Sequence, residues 1–255
     1  MRGKAQQLLN RFGFRLHRID DLTRFLNEAG SDKGLGLLGR HYYSRVYSKV
    51  FSEIRHKQLN FVEIGLLRPD RDGRRSTAGA EGESNAVAHC APSLVAWNKW
   101  FPNASIVGFD IDDFSAASTA SITIIQGDMS SPEDLSLIIA QCEGGIDIVI
   151  DDGSHVSHHQ QIAFSVLFPH LRANGLYCIE DCHWQDPSLE RADAVKTRDL
   201  LRLFRYSGEI VSPFISFESS KLLEAMIGDV VFYDSIEAGI DDTEDALCII
   251  RRKGY

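Results

Sequence analysis

Two short runs concentrate the side chains able to do chemistry: Asp151-Asp152-Gly153-Ser154-His155 and Glu180-Asp181. Carboxylates packed this closely repel one another and need a cation or a proton among them. Asp152, Glu180 and Asp181 offer hard oxygen donors, which suit Mg2+, or Mn2+, rather than zinc. His155 follows Asp152 by three residues. An imidazole titrates near neutrality, so beside an activated hydroxyl it is placed to act as a general base. A local alternative exists, because Asp152 or Ser154 can cap a helix starting near Val156. Capping explains one acidic residue and leaves the rest of the set without a role.

More acidic groups stand at comparable positions upstream, in Glu63-Ile64-Gly65, Asp110-Ile111-Asp112-Asp113 and Gln126-Gly127-Asp128. Asp110 is the candidate for holding a ribose diol, since a carboxylate accepts two hydroxyl hydrogen bonds. No Gly-x-Gly-x-x-Gly follows: Gly65 runs on into Leu66-Leu67-Arg68. A pyrophosphate clamp is therefore not expected, and a nucleoside cofactor without phosphates fits better. Taken alone, Glu63-Ile64-Gly65 is a tight strand-end turn. His155 and His159 have the i,i+4 spacing of a zinc pair but lack the HExxH pattern, and His158 and His159 read as solvated helix positions. Trp184, beside His183, either faces an apolar or sugar-ring acceptor or packs in the core.

These residues need a frame. Short apolar runs over Asn60–Ile64, Ser105–Phe109, Ser121–Ile125, Ile146–Ile150 and Gly175–Ile179 read as strands buried on both faces. Helical patterns separate them at Ser93–Phe101, Pro132–Cys142 and Val156–Leu171, with the Asn174-Gly175 turn beyond. The alternation predicts an α/β fold, a doubly wound, mostly parallel seven-stranded sheet of Rossmann-like type. Helices over Asp20–Ala29 and His41–Lys57 precede it. Helices near Leu189–Phe204 and Lys221–Met226 follow, then strands Val230–Ile236 and Ala246–Arg251, closely spaced enough to form an antiparallel edge. Residues 1–58 are thus expected as an N-terminal helical segment on a 59–255 core. Leu66–Ala91 has no periodicity and reads as a surface insertion or a lid over the site. Every one of the five parallel strands ends in a carboxylate on one rim, where ligands of such sheets bind.

Composition excludes other classes. With 27 Lys+Arg against 36 Asp+Glu, the net charge of −9 does not suit a nucleic-acid surface. No apolar run approaches the ~20 residues of a membrane span, and the N-terminus lacks a secretory h-region. Five scattered cysteines without a CxxC pair read as reduced thiols, which points to a cytoplasmic protein.

A set of ordered motifs adds a resemblance. Gly30-Ser31-Asp32-Lys33-Gly34, His41-Tyr42-Tyr43, Phe61–Gly65, Ser93–Trp97 and Gly108–Ile111 come first. Gln126-Gly127-Asp128, Asp147–His155 (DIVIDDGSH), Leu167-Phe168-Pro169 and Ile179-Glu180-Asp181 follow in order. Together they resemble the metal-dependent class I sugar O-methyltransferases of macrolide and glycoside tailoring, to which the rhizobial Nod-factor fucose 2-O-methyltransferase is also similar. The resemblance implies S-adenosylmethionine as cofactor and Mg2+ (or Mn2+) held by Asp152, Glu180 and Asp181, with His155 as base. It further implies Glu63 and Gly65 along the methionine part, Asp110 at the ribose, Asp128 near the adenine, and Asp151 on the cofactor side. The expected partner is a small glycoside or sugar, with no nucleic acid, and homo-oligomers stay open. Members often carry a separate N-terminal domain, which this chain is expected to lack. The rivals are catechol-type methylation of a diphenol, which usually shows Asp-Asn after the fifth strand, and a non-catalytic binding protein.

Overall fold

The computed structural model describes residues 19–34, 41–66, 91–185, 187–234 and 246–254. Seven strands form one sheet: β1 (Leu59–Ile64), β2 (Ala104–Asp110), β3 (Ile122–Gln126), β4 (Ile146–Asp151), β5 (Leu171–Ile179), β6 (Ile227–Asp234) and β7 (Ala246–Arg252). Their order is β3-β2-β1-β4-β5-β7-β6. The first five run parallel, and β7 pairs antiparallel with both β5 and β6. This is the doubly wound, mostly parallel seven-stranded sheet expected from the sequence, with its antiparallel edge. Strand order reverses between β1 and β4, so a crevice opens beyond their carboxyl ends.

The helices are α1 (Asp21–Ala29), α2 (Ser44–Val50), α3 (Pro92–Trp100), α4 (Pro132–Gln141), α5 (Ser157–Leu167), α6 (Thr197–Ser207) and α7 (Phe217–Met226). Local chemistry sets several ends. Asp20 accepts from the Thr23 N–H at 2.8 Å to start α1, and Gly30 closes it at φ 81°. Ser131 caps α4, with Pro132 in its first turn. No helix among the described residues is long and apolar enough to cross a membrane.

Alternate residues along the strands feed two cores. Val62, Tyr177 and Ile179 pack with Phe164 and Leu167 on one face. Phe61, Leu176 and Cys178 pack with Trp97, Tyr47 and Phe51 on the other. Trp97 is the hub of that second layer, with ring centroids 5.1 Å from Phe61 and 5.7 Å from Tyr47. Through this stack α2 and α3 are fixed to the sheet.

Three expected helices have other bounds, the first being that over His41–Lys57, which runs only from Ser44 to Val50 before a 3₁₀ turn over Ser52–Ile54. The helix expected over Val156–Leu171 stops at Leu167, because Pro169 permits only a 3₁₀ turn over Phe168–His170, and β5 starts at Leu171. The helix expected near Leu189–Phe204 begins only at Thr197. The preceding stretch is tied down as turns: Glu190 accepts the Ser157 N–H at 2.9 Å, and Gln161 donates to the Val195 carbonyl at 2.6 Å. The insertion expected at Leu66–Ala91 lies, apart from its two end residues, outside the described residues, as does the end of the strand expected to reach Ile236.

Because Trp97 is fully buried among four aromatic rings, Trp97→Ala is expected to lower unfolding free energy by about 3–5 kcal/mol. Urea unfolding with an unchanged m-value measures it. A loss below about 1 kcal/mol would mean the site-bearing layer collapses around the cavity.

Candidate active site

Main-chain hydrogen bonds carry the ladder one residue past the strand ends. The Gly65 N–H donates to Phe109, Gly127 to Asp110, Asp152 to Ile64 and Glu180 to Asp151, at 2.8–3.0 Å. The carboxyl ends of β1 to β5 are thereby aligned on one rim. A cavity of about 670 Å³ opens there, lined among others by Asp32, His41, Gly65, Asp110, Asp128, Asp152, His155 and Asp181.

Of the nine site residues singled out in the sequence, six line this cavity: Gly65, Asp110, Asp128, Asp152, His155 and Asp181. Glu63, Asp151 and Glu180 lie beneath it, fully buried. The site thus has an open layer and a closed one.

In the open layer, Asp152, His155 and Asp181 bring one ligand atom each to within 4.8 Å of one another. They are the only such group of metal-ligating side chains among the described residues. His155 Nε2 lies 3.9 Å from Asp152 Oδ1 and 3.7 Å from Asp181 Oδ2. Two carboxylate oxygens and an imidazole nitrogen form a donor set suited to Mg2+ or Mn2+, with coordination positions left for waters and a substrate. His155 and Asp181 hold φ of 58° and 49°. Non-glycine residues in the left-handed region cost of order 1–3 kcal/mol, and such strain persists where the surroundings over-determine a functional geometry. Trp184 is 48% exposed, its ring edge-on to His155 at 5.6 Å.

The closed layer turns on a residue without an assigned role in the sequence reading. Lys33 enters from the loop between α1 and α2 and is 2% exposed. Its Nζ donates to Asp152 Oδ2 and, at 2.7 Å, to Glu180 Oε2, with Glu63 Oε1 at 3.4 Å. Burial alone would strip the proton from this amine. The carboxylates of Asp152, Glu180 and Glu63 outweigh it and hold the ammonium well above the ordinary lysine pKa. Tyr47 donates to the second Glu180 oxygen at 2.7 Å, and Ser93 to the second Glu63 oxygen at 2.8 Å. Glu180 therefore faces Lys33 and Tyr47, apart from the open trio. Burial lifts Glu63 to about 7 against the pull of Lys33 and Ser93. Burial likewise lifts Asp151 to about 7, although the Tyr177 hydroxyl donates to it at 2.9 Å.

Tyr43 completes the contact with the N-terminal segment. Its hydroxyl donates to Asp181 Oδ1 at 2.6 Å and accepts the Asp181 N–H at 3.1 Å. Tyr43 and Tyr47 are one helical turn apart at the start of α2, which is why each reaches one of two consecutive acids. The His41-Tyr42-Tyr43 block and Lys33 were visible as motif residues. Their partners Asp152, Glu180 and Asp181 sit more than a hundred positions away in the chain, and no local pattern names them.

At the other end of the cavity, Asp110 accepts from the Leu66 N–H at 2.7 Å and the Asp112 N–H at 2.9 Å. Asp128 accepts from the Ser130 N–H and hydroxyl; against partial burial, these bonds hold its carboxyl below the usual range. The capping alternative for Asp152 is not realised. The Val156 N–H goes to Ser154 Oγ at 3.4 Å and the Ser157 N–H to Glu190, a cap contributed from distant sequence. His159, expected in solvent, is half-buried, lines the cavity and meets Ser154 Oγ at 2.9 Å. His158 packs on Phe214.

No protein-family model matches the chain. Among curated proteins, it is 38% identical over 141 residues to mycinamicin VI 2''-O-methyltransferase of Micromonospora griseorubida. That stretch is 55% of this chain and 31% of the relative. It is 37% identical over 152 residues to 8-demethyl-8-alpha-L-rhamnosyl tetracenomycin-C 2'-O-methyltransferase of Streptomyces olivaceus, covering 60% of this chain and 35% of that one. Over these stretches the chain is similar to these O-methyltransferases. Its matches span about a third of these relatives' length. Among solved structures, the MycE methyltransferase in complex with Mg, SAH and mycinamycin VI superposes with a TM-score of 0.65 at 26% identity, over 93% of this chain and 56% of that one. The O-methyltransferase from Bacillus cereus in complex with SAH shares the fold at TM-score 0.52 and 10% identity, over 98% of this chain and 97% of that one.

Gly65 is the tightest backbone approach on the rim. At φ 84°, a Cβ there would be driven into the Asp152 carbonyl. Gly65→Ala is therefore expected to lose at least about 1–3 kcal/mol from the strained φ alone and to displace Asp152. Its melting temperature, compared with that of Gly208→Ala, where φ is 76° but the space is open, separates the clash from the strain. Equal losses at both positions would show that the contact with Asp152 does not matter.

Proposed function

We propose that this chain is an S-adenosylmethionine-dependent O-methyltransferase that methylates a sugar hydroxyl of a small glycoside. The observation that carries the reading is the open trio of Asp152, His155 and Asp181 at one end of a cavity whose other end is framed by Gly65, Asp110 and Asp128. Its volume of about 670 Å³ suits a nucleoside cofactor with part of an acceptor beside it. The relatives' names and the Mg- and SAH-bound state of MycE support the same reading.

The residues present fit a divalent cation: Asp152 and Asp181 would hold it through their outward oxygens, with His155 beside them. When bound, the ion supplies Lewis acidity that lowers the pKa of a coordinated hydroxyl. His155 Nε2 takes the hydroxyl proton, and the Asp152 and Asp181 carboxylates at 3.9 and 3.7 Å stabilise the imidazolium that results. The deprotonated oxygen would take the methyl group that S-adenosylmethionine supplies when bound, the C–S bond breaking to leave the thioether. Asp110 holds the ribose diol with the lone pairs left after its two backbone bonds. Gly65 would leave room for the cofactor's methionine end at the β1 turn, and Asp128 would border its adenine. Glu63 and Asp151 act from beneath, as supports of the rim. Trp184 offers an aromatic face to a sugar ring next to the base.

We assign the catalytic domain to 59–255, with 1–58 as a helical segment that reaches into the site through Lys33, Tyr43 and Tyr47. A cytoplasmic setting without nucleic-acid partners accords with the net charge of −9 and with the buried thiols of Cys142, Cys178 and Cys182.

Three results test the proposal. S-adenosylmethionine or its demethylated product is expected to raise the melting temperature in a concentration-dependent way, and NAD is not; the reverse pattern would refute the cofactor. Chelation of divalent ions is expected to abolish turnover of a glycoside acceptor, and Mg2+ to restore it. His155→Ala is expected to reduce kcat by about 10²–10⁴ while cofactor affinity, measured by calorimetry, stays within about twofold, because His155 stands on the acceptor side. A variant that melts lower but turns over normally would remove the base assignment.

A further inference from the structure

One imidazole on the cavity wall has no part in the chemistry described above. His159 stands in the first turn of α5, half-buried, and lines the cavity together with Ser154, Asp128, Met129 and Ile111. Its Nδ1 meets Ser154 Oγ at 2.9 Å. The serine is itself pinned: its N–H donates to Met129 Sδ at 3.4 Å, and its Oγ accepts the Val156 N–H at 3.4 Å. Asp128 commits Oδ1 to the Ser130 N–H and hydroxyl, which among the described residues leaves Oδ2 for the cavity. Asp128 and His159 stand within electrostatic reach of each other. Ile111 and Met129, which follow Asp110 and Asp128, add apolar surface for a flat ring.

These contacts set the protonation of the ring. Burial first, and then the neighbouring His158, hold the imidazole below its ordinary pKa against the pull of Asp128 and Glu190, so it is uncharged at neutral pH. One ring nitrogen then donates and the other accepts. The Ser154 hydroxyl proton belongs on the bond to Nδ1, because the other tautomer would deprive Nε2 of the proton that the field of Asp128 favours. Nε2–H is thus a donor near an acceptor, Asp128 Oδ2. Adenine carries the complement: an amino donor flanked by the acceptor ring nitrogens N1 and N7.

We infer that His159 and Asp128 read the adenine edge of S-adenosylmethionine together. The carboxylate accepts from the amino group, and His159 Nε2–H donates to a ring nitrogen beside it. Ser154 is the positioning residue that fixes the His159 tautomer. The inference rests on reading the Asp110 and Asp128 end of the cavity as the nucleoside site, and adds to it a donor from α5. One turn then serves both substrates, with His155 toward the acceptor and Ser154 and His159 toward the cofactor.

The test is calorimetry on the full chain with S-adenosylhomocysteine and its 1-deaza and 7-deaza analogues, in which C–H replaces one ring nitrogen. In the wild type, one of the two analogues is expected to bind at least about tenfold more weakly than the parent. In His159→Phe, which keeps a ring but no donor, that penalty is expected to fall below about twofold. His159→Gln, which returns an N–H donor at similar reach, is the second variant and is expected to restore a penalty of at least about fivefold. Ser154→Ala is expected to weaken the parent by at least about threefold alone and by less than about 1.5-fold in the His159→Phe background. Analogues that both bind the wild type as well as the parent would overturn the inference without any variant. An analogue penalty that is the same in wild type and His159→Phe would overturn the role of His159, leaving it a packing residue. A Ser154→Ala loss that persists in the His159→Phe background would overturn the positioning role of the serine. A folded wild type that binds no S-adenosylhomocysteine would instead overturn the cofactor reading itself.

Discussion

One buried ammonium holds the rim together. Lys33 meets carboxylates that follow or end three neighbouring strands, β1, β4 and β5, and without it their mutual repulsion would act in a low-dielectric interior. A buried ion pair need not add net stability, because desolvation of both partners offsets the attraction. What it does here is orient. Asp152 has a defined inner oxygen on Lys33, so its outer oxygen has a defined direction. Asp152 and Asp181 can face the cavity with one oxygen each because the other is already committed.

That constraint explains the placement of the N-terminal helices. The α1–α2 loop supplies the cation, and α2 supplies two phenols one turn apart for two consecutive acids. The aromatic layer around Trp97 fixes α2 and α3 against the sheet, so the phenols are held by packing as well as by hydrogen bonds. Core and site are therefore one structure on this face, and a packing change there reaches the carboxylates through Tyr47.

Most of the architecture was legible because the strands are short, apolar and bounded by acidic turns, and because α1, α4 and α7 carry their own caps. The period of the pattern predicts the element, and the β-α alternation predicts the parallel sheet. Where reading failed, a long-range contact overrode a local signal. Residues 189–196 look helical but are drawn into turns by Glu190 and Gln161, and Asp152 looks like a cap until Glu190 takes that place. The acids of the rim were legible one by one. Their division into an open and a closed layer was not, since Glu180 and Asp181 are adjacent in sequence and only the strand end decides which faces Lys33 and which faces His155.

The same division gives the strained backbone at the rim a physical account. An extended residue after β5 would put the Asp181 side chain on the same sheet face as Ile179. The left-handed φ of 49° at Asp181 breaks that alternation and turns its carboxylate beside His155, whose own φ is 58°. Two unfavourable backbone conformations are thus compensated by fixed partners: Tyr43 bonds both the main chain and the carboxylate of Asp181, and Ser154 holds the turn that carries His155 into α5. The geometry of the open trio is in this sense imposed from outside it. The acids and the imidazole do not gather by mutual attraction; the phenol, the serine and the ammonium behind them leave no other arrangement.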